Sequence, residues 1–301
     1  MKMKKGFSLI ELIVVIGIIG ILMAVLLSQF GGATESAKAT QCMNNLRSLS
    51  IGMINAATAH ELGTFPSAHS LKFKHIDRAK GVMYGPFKGW VSWAKNGETT
   101  TKGPTPGGEI YLGETDDDQL MFAITNGAIW TTSGKSRAIY TCPVHSELYQ
   151  KKNGRVPGWS YVVNDRFGVQ EHFSHGYMTV SSMSVMREKN KYKKAPADKI
   201  LMFAELQAAK PDAKAGIAVP EPTFSPSGSG ADGMLESDKG EVIGFNHKIS
   251  GGKYVGHVAF ADGHVDKLML PKSGSLNELT KYLCQGYDVT FDGRQYTRVD
   301  E

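Results

Sequence analysis

The chain has 301 residues, of which 41% are hydrophobic, 21% charged and 9% aromatic. This composition excludes a disordered or collagen-like chain and fits one large globular domain or two small ones. Lys2, Lys4 and Lys5 account for three units of the formal net charge of +5, which leaves 31 basic against 29 acidic residues, or +2. A chain so close to neutral has no overall field that attracts nucleic acid, so no nucleic-acid partner is expected.

A basic leader, MKMKKG, precedes a long apolar run at the N-terminus. From Leu12 to Leu27 only two glycines interrupt the apolar side chains, and residues 7–30 would span roughly 36 Å as a helix. That length crosses a bilayer. The positive-inside rule places the leader in the cytoplasm, so we expect a single-pass inner-membrane protein whose globular domain is periplasmic.

One carboxylate, that of Glu11, breaks the apolar run and would cost on the order of 2–3 kcal/mol at full membrane depth. Cleavage between Gly6 and Phe7 would create an α-amino group one helical turn from Glu11. The amine of one subunit would then neutralise the carboxylate of a neighbour and direct assembly. The alternative is a plain membrane anchor in which Glu11 snorkels to the lipid headgroups.

The segment KKGFSLIEL and the apolar helix after it resemble the N-terminal signal of type IV pilins and type II secretion pseudopilins. The resemblance implies cleavage after Gly6 by a membrane-bound prepilin peptidase and methylation of the new N-terminus at Phe7. It further implies that Glu11 selects neighbouring subunits in a filament of bundled N-terminal helices, which an inner-membrane platform assembles.

The helical pattern continues beyond the apolar run. Many pilins have a proline near the position of Ser28, whereas here the pair Gly31-Gly32 would loosen the helix instead. A stripe of apolar side chains then recurs at helical spacing: Met43, Leu46, Leu49, Met53 and Ala57. Gly63 and Pro66 end the pattern, which predicts one rod from Phe7 to about Glu61, about 80 Å long.

Short β-like runs follow Phe65, separated by Gly, Pro and Asn: Val82–Phe87, Gly108–Leu112, Arg137–Cys142, Trp159–Asn164, Lys199–Glu205 and Glu241–Asn246. The clearest hairpin pairs Val255–Phe260 with His264–Leu270 across Ala-Asp-Gly, a sequence that favours a tight type I′ turn. The expected fold class is α+β, with a long N-terminal α-helix packed on an antiparallel β-sheet domain. The predicted segments are a leader (1–6), a transmembrane and filament-core helix (7–30), its amphipathic continuation (31–62) and an exported β-rich domain (63–301).

Four downstream segments resemble, in chain order, a large group of bacterial pseudopilin-like proteins: GAIWTTSGKSRAIYTCPVHS, SYVVNDRFG, KILMFAE and FNHKISGGKYVGHVAFADGHVDKL. This group carries a C-terminal His-x9-Asp-Gly signature, to whose turn Asp262, Gly263 and His264 correspond. The histidine spacing departs from the signature, because fourteen residues separate His247 from Asp262 and four separate His257 from it.

Two residue groups suggest a metal ion. The first lies at the C-terminal hairpin: His257, Asp262, His264 and Asp266. Because Asp262 suits the turn and no nucleophile has an obvious base beside it, we favour sheet and turn packing and expect no enzyme activity. The second is the acidic run Asp116, Asp117 and Asp118, a weak Ca²⁺ candidate that equally suits the first turn of a helix. No other cofactor is expected.

The remaining candidates are structural. Cys42 and Cys142 are the expected disulfide pair, because export permits oxidation and a bridge would fasten the helix to the domain, although Cys284 leaves other pairings open. The basic segment 187–199 is expected to be a solvated loop rather than a DNA-binding patch. The tryptophans are expected to be buried rather than to stack on sugars: Trp90, Trp93, Trp130 and Trp159.

The sequence therefore predicts a structural subunit, minor or specialised, of a type II secretion-like pseudopilus. Two alternatives remain open. One is a type IV pilus subunit in adhesion or DNA uptake, and the other is a membrane-anchored binding module or hydrolase.

Overall fold

The computed structural model of the chain describes residues 8–59, 65–66, 68, 75–77, 82–84, 89–91, 117–153, 157–164, 175–177, 185–188, 191–194, 200–207, 233–235, 241–249, 253–270, 276–285, 289–291 and 294–296. Its α-helices are α1 (Leu9–Ala59), α2 (Asp117–Thr125), α3 (Pro143–Asn153) and α4 (Leu276–Gln285). A 3-10 helix covers Arg137–Tyr140.

The strands in this part of the chain form one larger sheet and three small ones. The larger sheet contains β3 (Tyr161–Asn164), β7 (Leu201–Glu205), β8 (Met234–Leu235), β9 (His247–Lys248), β10 (Tyr254–Phe260) and β11 (Val265–Met269). The small sheets pair β1 (His75–Asp77) with β2 (Val82–Tyr84), β12 (Val289–Phe291) with β13 (Arg294–Tyr296), and join β4 (His175–Tyr177), β5 (Val185–Glu188) and β6 (Lys191–Lys194).

The larger sheet has the strand order β11-β10-β7-β3-β8, and β9 pairs with β10 beside this path. All pairs are antiparallel except β3 with β8. Every residue of β3 and β7 is buried, which explains why their sequences read as continuous apolar runs rather than alternating ones. These two strands form the centre of the core, and one acidic side chain, that of Glu205, lies at the end of β7.

The C-terminal half of α1 packs on this sheet, where it contacts β7, β9, β10 and β11. The predicted apolar stripe is confirmed at Leu46, Leu49, Met53 and Ala57, all of which are fully buried. Met43 is only partly buried, and Cys42 takes the fully buried position next to it. The helix runs without interruption through the glycine pair, from Leu9 to Ala59.

The segment of α1 from Leu9 to Met23, in contrast, is not packed against the sheet. Every residue from Leu9 to Met23 is exposed, and the exposed fraction is 76% for Leu9 and 68% for Ile21. Among the helices of the described residues, none combines the length and the hydropathy needed to cross a bilayer. The α+β fold with a long N-terminal helix is confirmed, whereas the membrane-spanning part of the prediction is not.

Three local predictions need correction. Arg137–Cys142 is not a strand, because a turn with positive φ at Gly134 and Lys135 leads into the 3-10 helix, which buries Tyr140. Glu241–Asn246 is not a regular strand, because its sheet pairing is limited to an isolated bridge from Ile243 to Leu206. Of the basic segment, residues 187–188 belong to β5 and residues 191–194 to β6, which pair antiparallel, so these residues are in strands rather than in a loop. The predicted strand at 108–112 lies outside the described residues.

The C-terminal hairpin is confirmed as β10 and β11, but its turn is not type I′. Such a turn requires positive φ at two residues, whereas here Gly263 has a φ of +89° and Asp262 is not in the positive region. The Gly263 amide donates to the Phe260 carbonyl at 2.9 Å, and the Phe260 amide donates to the His264 carbonyl at 3.0 Å. The result is a three-residue loop that ends in a left-handed glycine.

Candidate functional site

The N-terminus of α1 is capped by a pair of reciprocal hydrogen bonds. The backbone amide of Ser8 donates to Glu11 Oε2 at 2.8 Å, and the amide of Glu11 donates to Ser8 Oγ at 3.3 Å. This is a capping box, which satisfies two amides that a helix leaves free at its N-terminus. Both residues are exposed, so the Glu11 carboxylate is accessible to a neighbouring molecule.

Apolar side chains surround the helix over several turns after the capping box. They include Ile10, Ile13, Val14, Ile18 and Leu22, each more than half exposed. A helix that is apolar on all sides is normally buried in a large core, a membrane or a helical bundle. This segment therefore has the character of an assembly surface.

A second cluster lies inside the domain, where α1 meets the sheet. It joins Cys42 of α1, Cys142 before α3, Glu205 at the end of β7 and His247 of β9. Their ligand-type atoms all lie within 4.8 Å of one another, and all four side chains are fully buried. Four segments that are distant in sequence thus converge on one point, which we call the Cys-Glu-His cluster.

The cluster has two short internal contacts. His247 Nε2 lies 2.9 Å from Glu205 Oε1 and 3.4 Å from Cys142 Sγ. Cys42 and Cys142 are both free thiols. The structure thus brings together the two cysteines expected to pair, and the disulfide itself stays a prediction.

Further groups surround the cluster. Tyr161 Oη lies 3.1 Å from Cys42 Sγ, and the His145 amide donates to Cys142 Sγ at 3.5 Å. Glu205 receives a hydrogen bond from the amide of His257 at 3.3 Å and lies 3.3 Å from His257 Nδ1. Cys42, Cys142 and Glu205 thus each have a polar neighbour outside the cluster.

Burial and neighbouring charges shift the pKa values of Glu205 and His247 in opposite directions. Burial alone would raise the pKa of Glu205, but the adjacent His257 and His247 hold that pKa well below its ordinary value. Burial alone would lower the pKa of His247, yet Glu205 and Cys142 raise it to about 10. Burial raises the pKa of the Cys42 thiol. Burial also acts to raise the pKa of Cys142, but contact with Cys42 and His247 lowers it overall.

The residues of the C-terminal signature form a turn at the surface instead of joining this cluster. Asp262 Oδ1 accepts from the His264 amide at 3.0 Å and lies 2.6 Å from His264 Nδ1. The His264 ring stacks on Phe260 with a centroid distance of 4.4 Å. His257, in contrast, is fully buried against Glu205, so the structure separates the two histidines that the sequence suggested as one group.

Other predicted positions have mixed outcomes. Gly6, Phe7, Asp116 and Trp93 lie outside the described residues, and only the backbone is described for Asp117 and Asp118, at the start of α2. The calcium hypothesis therefore stays untested. Trp90 and Trp159 are fully buried and Trp130 is partly buried, which confirms core packing for the first two.

Comparison with known families identifies the N-terminal segment. Residues 1–27 match the family described as the prokaryotic N-terminal methylation motif. The chain therefore carries a prepilin signal like that of type IV pilins and pseudopilins. No curated protein and no solved structure matches the chain.

Together with the long N-terminal helix, the motif supports a subunit of the type IV pilin family. It implies processing by a prepilin peptidase and assembly with other pilin subunits. The motif does not distinguish a pilus subunit from a pseudopilin.

Proposed function

We propose that the chain is a structural pseudopilin, minor or specialised, of a type II secretion-like pseudopilus in the inner membrane and periplasm. The observation that carries this proposal is the exposed apolar helix from Leu9 to Met23, which lies within the matched N-terminal methylation motif at residues 1–27. Before assembly, membrane lipid covers these side chains, and in the filament the helices of neighbouring subunits replace the lipid.

The position of the globular domain on α1 supports the same proposal. Among the described side chains of α1, the buried hydrophobic ones lie between Ala39 and Ala57, where the domain packs on the helix. The exposed segment from Leu9 to Met23 is thereby left free to enter a helical bundle. The downstream resemblance to pseudopilin-like proteins favours a pseudopilus over a type IV pilus.

Glu11 supplies the specificity of assembly in this proposal. Its carboxylate now accepts from the backbone amide of Ser8 in its own chain. In the filament it also accepts from the α-amino group that cleavage creates at Phe7 of a neighbour. A charged pair of this kind is strong in an apolar bundle, where no water competes for either group.

Replacing Glu11 with alanine is therefore expected to reduce assembly at least tenfold while processing continues. Ser8→Ala is the matched control, because it removes the other half of the capping box and leaves the carboxylate in place. Cells that contain the assembly platform and prepilin peptidase would produce each variant with a photoreactive amino acid at Ile19. Cross-linked subunits would then be measured in the cell envelope and in the sheared extracellular fraction.

Equal cross-linking of Glu11→Ala and Ser8→Ala would contradict the proposed role, because the carboxylate would then act in helix capping alone. Recovery of wild-type subunits mainly in the sheared fraction would indicate a type IV pilus subunit instead of a pseudopilin. A wild-type chain that forms no cross-links would instead favour an anchored binding module.

A further inference from the structure

The Cys-Glu-His cluster has the ligand chemistry of a metal site. Two thiolates, one imidazole and one carboxylate are ligands that Zn²⁺ accepts in proteins. Each residue comes from a different segment of the chain. Each contributes one ligand-type atom, and these four atoms all lie within 4.8 Å of one another. We propose that Cys42, Cys142, Glu205 and His247 bind a structural Zn²⁺ ion.

Two of the ligand separations are close to those of a tetrahedral site. In such a site neighbouring ligand atoms lie about 3.4–3.8 Å apart, given zinc bonds of about 2.1 Å to N or O and 2.3 Å to S. The separation of 3.4 Å between Cys142 Sγ and His247 Nε2 already fits this range. The 2.9 Å separation between His247 Nε2 and Glu205 Oε1 would widen by about 0.5 Å, which small side-chain rotations allow.

A bound cation would also balance the charges of its ligands. When it binds metal, the cluster contributes two thiolates and a carboxylate, a concentration of negative charge that is costly in a fully buried place. Zn²⁺ cancels two of these three charges. Binding releases the thiol protons of Cys42 and Cys142 and any proton on His247 Nε2 to solvent, and no group changes oxidation state.

Neighbouring groups contact three of the four ligands as an outer shell would. Tyr161 Oη and the His145 amide approach the two sulfurs, and His257 approaches Glu205 through its amide and its ring. Such contacts orient ligands and tune their basicity. Because all four ligand side chains have no exposed surface, the site is closed to substrates, which fits a structural ion rather than a catalytic one.

The ion would connect α1 to the sheet of the globular domain. Cys42 belongs to α1, whereas Glu205 and His247 belong to the sheet, so one ion connects the two parts across a large sequence separation. A sulfur pair that binds zinc cannot also form a disulfide. The zinc site and the Cys42–Cys142 disulfide therefore exclude each other, and the site does not depend on whether the chain enters a filament.

The test measures zinc in the full chain, purified in mild detergent without chelators. We expect one zinc ion per chain by elemental mass spectrometry, and less than one tenth of that amount in Cys142→Ser and His247→Gln. Cys284→Ser is the matched control, because Cys284 is equally buried but lies outside the cluster, and it should retain the metal.

A wild-type chain without zinc, whose denatured mass is two hydrogens below that of the reduced chain, would overturn the proposal in favour of the disulfide. Zinc retained in both ligand variants would overturn it too, because the ion would then be bound elsewhere. If the variants fail to fold, the wild type alone decides. Apo protein given Co²⁺ should develop the near-ultraviolet thiolate-to-cobalt absorption of a two-cysteine tetrahedral site, and absence of that absorption would refute the proposal.

Discussion

Replacing Gly256 with alanine is expected to lower the free energy of unfolding of the domain by about 3 kcal/mol or more. A Cβ atom at this position would overlap the backbone carbonyl of Gly244, a group that cannot rotate away as a flexible side chain would. Gly244 is itself fixed, because its amide donates to the Glu205 carbonyl at 2.7 Å. The close approach of these two glycines therefore places the segment that carries His247 against β7 and β10.

Gly134→Ala separates this steric effect from the general cost of losing a glycine. Gly134 has a φ of +91° but open space around it, so alanine there should cost only about 1 kcal/mol of backbone strain. Both variants would be unfolded in urea as full chains in mild detergent and followed by circular dichroism. Equal losses of stability at the two positions would contradict the close packing of Gly256 on Gly244.

Replacing Trp90 with alanine is expected to lower the free energy of unfolding by about 3–5 kcal/mol. The Trp90 ring is fully buried, stacks on Tyr140 at 5.7 Å and meets Phe203 edge-on at 5.3 Å. Its Nε1 also donates to the Gly233 carbonyl at 2.9 Å. The substitution thus creates a large cavity and removes one of two hydrogen bonds to the Gly233 carbonyl, which still accepts from the Val163 amide at 3.0 Å.

Trp130→Ala is the matched control in the same aromatic cluster. Trp130 is only partly buried, and its ring is tilted by 40° against that of Tyr140 at a centroid distance of 6.2 Å. Its replacement should therefore lower the free energy of unfolding by less than about 2 kcal/mol. The measurement is again urea unfolding by circular dichroism. Because a stable domain has about 5–15 kcal/mol in total, the expected difference between the two variants is readily resolved. A Trp90→Ala chain as stable as Trp130→Ala would show that Trp90 is not a core residue.

The sequence was most informative where structure is local. Helical periodicity correctly located α1 and the buried face from Leu46 to Ala57, because that pattern repeats over several turns. The strands β3 and β7 were recognisable because each is a short, nearly continuous apolar run. The Ser8-x-x-Glu11 spacing also carries the signature of a capping box, a local role of Glu11 that an interpretation based on assembly alone overlooked.

The Cys-Glu-His cluster could not be assembled from sequence, since its members come from four distant segments. The one local signal was Glu205, an acid at the end of an otherwise apolar strand, where a fully buried charge requires a partner. His247 and His257 resembled signature histidines with irregular spacing, and only the fold shows that both approach Glu205. The 3-10 helix at Arg137–Tyr140 was mistaken for a strand because its β-branched and aromatic residues fit both structures.

In the proposed function, cleavage of the prepilin signal releases the N-terminal helix to build a filament. Intact mass and N-terminal sequencing test it most directly, on wild type and Gly6→Ala chains produced together with a prepilin peptidase that is active on a second prepilin. We predict a wild-type chain that begins at Phe7 with one added methyl group, and a Gly6→Ala chain that still begins at Met1. A wild-type chain that retains Met1 in the presence of the active peptidase would contradict the account and leave the exposed helix as an anchor.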